Sequence, residues 1–130
     1  VQAYDLRHFG APRPEFLRKW IQPTGGKALG YLDRANLLGI GVIRPCRDGY
    51  KIGPLFADTP AIAGSLFAAL AAHAAGDDIY LDIPECNPDA VSLAARHGLC
   101  EVFGCARLVI GPVPDTPWPC IYGITTFEFG

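Results

Sequence analysis

Methionine is absent from the 130 residues, and the chain opens on Val1. The first residue is therefore not a translational start, and the sequence is expected to be an excerpt of a longer protein. Charge is sparse too: Asp, Glu, Lys and Arg make up 18% of the residues and sum to a formal net charge of -2. No basic stripe is present to neutralise a phosphate backbone, which argues against nucleic acid as a partner. The apolar stretch at 61–75 is too short to span a bilayer and lacks the flanks of a signal peptide, so no membrane partner is expected. Cys-x-x-Cys pairs are missing and the five cysteines are odd in number. Neither a zinc site nor a full disulfide framework is indicated, no metal is expected, and a reducing cytoplasm is the simplest location.

What is present is a chain half apolar in composition, enough to build one contiguous core, so residues 1–130 are read as a single domain. Residues 1–21 form a helical lead-in, with Pro14 opening a short helix over 14–21 that carries Phe16, Leu17 and Trp20 on one side. Two apolar runs, 28–33 and 37–44, flank the turn formers Asp33, Arg34, Ala35 and Asn36 and predict a β-hairpin. Residues 49–58, GYKIGPLFAD, begin as a third strand, in which Pro54 lacks a donor and predicts a bulge or an edge.

Thr59 and Pro60 then cap a helix along which Ile62, Leu66, Leu70 and Ala74 recur until Gly76. No Asp, Glu, Lys or Arg lies between Thr59 and Gly76, unlike the outer face of an ordinary surface helix, which predicts a second covering from a subunit or another domain. Residues 79–84, IYLDIP, read as a buried parallel strand reached by a helical crossover. Asn87, Pro88 and Asp89 open another helix that stops at Gly98. Strands at 101–110 and 124–129, joined by the proline-rich GPVPDTPWPC, complete the order.

This order resembles the GNAT N-acetyltransferase superfamily, and Asn87, Ala90, Leu93, Gly98 and Leu99 are similar to its N-x-x-A-x-x-L…G-[FL] helix. GYKIGPLFAD, LDIPECN and the terminal GITTFEFG resemble the C-terminal domain of bacterial acetyltransferases with two GNAT-like domains in tandem. The resemblance implies an α/β fold: a mixed, twisted sheet of about six strands with helices on both faces and two strands splayed around an acyl thioester. It also implies acetyl-CoA as substrate, its acyl oxygen held near Leu55, Phe56 and Ala57. The phosphates would rest on the helix start at Ala63, Gly64 and Ser65, and Asn87 would lie beside the pantetheine arm. Trp118 and Tyr122, flanking the proline-rich loop, would wall the site of a small-molecule or peptide amine.

Two departures from the pattern stand out. The [QR]-x-x-G-x-[GA] phosphate loop is replaced by DTPAIAGS, with Pro60 deleting a donor and Asp58 adding negative charge. The frequent tyrosine acid corresponds to Ala94, which donates no proton. Asp82 and Glu85, at the C-terminal end of a strand where ligands collect, are the candidate bases. Two functions therefore stay open at this point. One is an acyl-CoA-dependent N-acetyltransferase domain, and the other a non-catalytic GNAT-like module that offers acceptor-binding or interaction surface to a catalytic domain or a second copy.

Overall fold

Two apolar runs and a two-residue turn make the first ribbon of the sheet. In the computed structural model, which describes residues 1–128, Arg34 adopts φ 54° and closes β1 (Lys27–Asp33) onto β2 (Asn36–Pro45). The next strand, β3 (Tyr50–Ala57), pairs antiparallel with β2 and carries the expected bulge. Leu55 faces Gly41 and Ile52 faces Ile43, so Gly53 and Pro54 together oppose Val42. A proline has no N–H for the ladder, and a bulge accommodates it at this point.

Thr59 starts the central helix as its residues demand: its hydroxyl oxygen accepts the Ile62 N–H at 3.3 Å, satisfying one of the orphan donors of the first turn. The helix, here called α3 because two shorter ones, α1 (Gln2–Phe9) and α2 (Pro14–Trp20), precede it, runs Pro60–Ala71 and tightens into a last turn at Ala72–Ala74. Ile62, Ala63, Leu66, Phe67 and Leu70 are buried, each large side chain contributing roughly 1.5–3 kcal/mol of transfer free energy. The helix lies close on the sheet because Gly39 and Gly41 leave room. A Cβ on Gly41 would stand 2.6 Å from Leu70 Cδ1, and one on Gly39 2.7 Å from Ile62 Cγ2.

Beyond α3 the chain returns as β4 (Ile79–Leu81), parallel to the first half of β3, then forms α4 (Pro88–Arg96). The sheet order is β1-β2-β3-β4, and a fifth strand, β5 (Ile121–Gly123), lies antiparallel beside the second half of β3. Helices cover both faces. α3 and α4 bury Ile43, Ile52, Leu55 and Leu93 on one side, and α1 packs Tyr4 against Ile40, Phe56 and Ile121 on the other.

The sheet has five strands among the described residues, in keeping with the expected mixed sheet of about six. Two sequence expectations are corrected. Residues 101–110 form no strand: Val102, Phe103, Leu108 and Ile110 are exposed, because β4 offers only three residues of edge to pair with. The last strand is three residues earlier than 124–129, since Ile121 and Tyr122 are the side chains that find buried places. Residues 129 and 130 lie outside the described residues. The lead-in at 1–21 contains a helix, α1, that the spacing at 14–21 did not announce.

Candidate functional site

The parallel ladder between β3 and β4 stops at the pair Ile52–Leu81, one residue before the bulge. From there the two strands part, and the gap between them is occupied by the chain itself. Leu55 pairs with Gly123 and Phe56 with Ile121, while the Ile124 N–H donates to the Asp82 carbonyl at 2.9 Å. Gly53 is where the insert fits tightest. A Cβ there would come within 2.6 Å of the Ile124 carbonyl oxygen and 2.7 Å of that of Thr125, and the Gly53 carbonyl accepts the Trp20 indole N–H at 2.9 Å.

Asn87 locks this arrangement. It is 1% exposed, and its Oδ1 accepts the Asp89 and Ala90 amides at 3.1 and 3.4 Å as the N-cap of α4. Its Nδ2 donates to the Ile121 carbonyl at 2.8 Å and, at 3.4 Å, to that of Pro119. One amide side chain thus ties the start of a helix to the inserted strand. A second tie comes from α1 and α2: Arg13 grips Asp5 through two hydrogen bonds at 2.6 and 2.8 Å and reaches Thr125 Oγ1 at 3.0 Å.

The other residues singled out from the sequence divide between buried structure and open surface. With strands on both edges, the backbone of Leu55 and Phe56 serves the sheet, and Ala57 is fully buried. Ala63 packs into the core, Gly64 is half-buried, and Ser65 is exposed with its hydroxyl donating to the Ala61 carbonyl. Asp82 is buried at the end of β4 in an ion pair with Lys51 at 2.5 Å, whereas Glu85 is exposed on the turn beyond. Trp118 and Tyr122 fall on opposite faces of the sheet. Trp118 packs beside Ile121 and Phe56, while Tyr122 enters the α3–α4 side, where burial pushes its pKa up to about 12.

Sequence reasoning passed over a second group of polar side chains, on α1. Tyr4 Oη lies 2.7 Å from Asp58 Oδ1 and 2.9 Å from the Leu38 carbonyl oxygen. Burial and that carboxylate raise its pKa above the usual range. One helical turn later His8 stacks on Phe56 at 5.0 Å, and burial lowers its pKa from the ordinary 6.5. The signal for this pair was the i, i+4 spacing of Tyr4 and His8, which places both on one helix face.

A model of the acetyltransferase (GNAT) domain family matches residues 1–123. The chain belongs to the GNAT acetyltransferase family. It is 28% identical over 131 residues to holothin acyltransferase from Pseudoalteromonas sp. (strain SANK 73390), an alignment covering all of the chain and 45% of that protein. Its fold is similar, at a TM-score of 0.80 and 28% identity, to the crystal structure of an acetyltransferase candidate from Pyrococcus horikoshii, again over all of this chain and 42% of that one. The chain thus spans less than half the length of both relatives.

GNAT enzymes use acetyl-CoA, and with β5 in place the residues present leave it no opening between β3 and β4. At the start of α3, Pro60 has no N–H and the Ile62 N–H is taken by Thr59, while the Asp58 carboxylate stands just before the helix. An anion gains stability from free N–H groups at a helix start, and here one donor is missing, one is taken and a carboxylate stands close by. No helix among the described residues is long and apolar enough to cross a membrane.

Proposed function

We propose that this chain is one half of an acyl-CoA-dependent N-acyltransferase, which moves an acetyl or related acyl group from its thioester to a primary amine of a small molecule or peptide. Within that enzyme this half serves the amine side. The observation that carries the reading is β5, paired with β3 where an acyl thioester would lie; the thioester then belongs to another part of the protein. Length supports such a part, since the relatives are more than twice as long as the matched region. Surface supports it as well: among the described residues, Val102, Phe103, Leu108, Val109, Ile110 and Val113 are six of eleven exposed large hydrophobic residues, and exposed apolar side chains, where they form a patch, mark interaction surfaces. A second GNAT-like domain, or a second copy of the chain, is the proposed cover. The unpaired cysteines suit a cytoplasmic location.

A second reading rests on the interrupted β3–β4 ladder. If β5 withdraws, the gap would take acetyl-CoA along Leu55, Phe56, Ala57, Ala63, Gly64, Ser65 and Asn87, with Asp82 or Glu85 as base. Thermal unfolding with and without acetyl-CoA separates the two. A ligand at about 100 times its dissociation constant adds about 2.7 kcal/mol of stability. The amine-side reading expects no shift of the 130-residue chain at millimolar acetyl-CoA, and a saturable stabilisation would replace it with the second reading.

A further inference from the structure

A cavity of about 100 Å³ lies between α1, the proline-rich loop and the sheet, lined by His8, Phe9, Phe56, Arg107, Trp118 and Ile121 among others. That volume is well below the roughly 300–1,000 Å³ of a pocket enclosing a drug-sized ligand. It is nearer the roughly 150 Å³ apolar cavity that admits a single benzene ring. Its walls are flat: Phe9, Phe56 and Trp118 offer aromatic faces or edges, which favour a planar guest.

One polar group in this lining has an unused valence. His8 is 4% exposed, and its Nδ1 sits 2.8 Å from the Tyr4 carbonyl oxygen. A carbonyl only accepts, so Nδ1 carries the proton and Nε2 keeps a lone pair. No described residue donates to that nitrogen. Stacking on Phe56 at 5.0 Å and contact with Tyr4 at 4.4 Å hold the imidazole in place. Elsewhere in the lining, the Arg107 guanidinium lies 5.1 Å from the Trp118 ring centroid and presents only donors. The site therefore has an acceptor at one place, donors at another, and aromatic surface beside both.

We infer that this cavity binds one compact planar ring that carries an N–H donor for His8 Nε2 and a carboxylate or carbonyl for Arg107. The binding stands on the cavity alone. Its role as the recognition pocket for an aromatic or heteroaromatic acceptor molecule rests on the amine-side reading above.

The test is an NMR titration of the isotopically labelled chain with 4-aminobenzoate, and with benzoate, which lacks the donor. Saturable shifts at the His8 and Trp118 side chains are expected, with benzoate binding about tenfold more weakly, the worth of one good hydrogen bond. His8→Asn retains a donor for the Tyr4 carbonyl but has no atom in place of Nε2, and it should abolish the difference between the probes. Arg107→Gln, an exposed position, should weaken both probes alike and guards against loss of folding in the histidine variant. Equal affinity of the native chain for the two probes, shifts remote from His8 and Trp118, or no saturation at millimolar 4-aminobenzoate would each overturn the inference. No acyl donor is present in this titration, so its failure would leave the acyl-transfer reading standing. Stabilisation by acetyl-CoA would not touch the pocket.

Discussion

His8 joins Tyr4 as a side chain on α1 whose titration burial displaces. Burial lowers its pKa, the neighbouring Arg7 acts in the same direction, and the Tyr4 carbonyl, Asp58 and Asp5 oppose both. The sign of the consequence is fixed by linkage. The unfolded chain takes up a proton on this residue below pH about 6.5 and the folded chain only at lower pH, so stability is full above that value and falls as the pH drops through it. Denaturant unfolding of the native chain and of His8→Asn at neutral pH and at about pH 5 should show the larger loss in the native chain. Equal losses would mean that His8 is as easily protonated in the folded state. Neither His8 nor Tyr4 was legible as functional in the sequence, because their partners, Phe56, Asp58 and Leu38, lie 30 or more positions away. Asn87 was half legible. The Asn-Pro-Asp run announces an N-cap, but nothing local announces that the other end of the same amide holds Ile121.

The elements most securely read were those whose signals are local. Thr59-Pro60 and the apolar repeat give α3, the Asp33–Asn36 turn gives the hairpin, and Pro54 gives the bulge in β3. The strands after α4 were misplaced because an apolar run does not say which edge will receive it, and the short edge of β4 receives none. The element that decides the site is β5, and its anchor is Asn87. Asn87→Ala removes the α4 cap, worth about 0.5–2 kcal/mol, and strands the Ile121 carbonyl, worth about 1–3 kcal/mol when buried unsatisfied. Asn87→Asp keeps the acceptor for the Asp89 and Ala90 amides but sets an oxygen against that carbonyl. Urea unfolding should show both variants destabilised, the aspartate through the strand alone. An Asn87→Asp chain as stable as the native one would mean that the tie to β5 contributes nothing.

At the scale of the whole molecule, the GNAT architecture is present with its opening closed from within. Arg13, Asn87 and the β3 backbone all hold the segment that closes it, and the glycine at position 53 is shaped to its carbonyls. The amine-side reading accounts for the two departures visible in the sequence, the missing phosphate loop and Ala94, since a sheet that received no thioester would need neither a phosphate cradle nor a proton donor. The fold also leaves the apolar 102–113 stretch on the surface, consistent with the proposed covering by more of the same protein. The claim that β5 belongs in the gap is tested most directly by amide hydrogen exchange of residues 121–124 with and without acetyl-CoA. The account predicts slow exchange at the Ile124 amide, bonded to Asp82, that acetyl-CoA leaves unchanged. Rapid exchange there in the free chain, or exchange that acetyl-CoA accelerates as the strand is displaced, would contradict it.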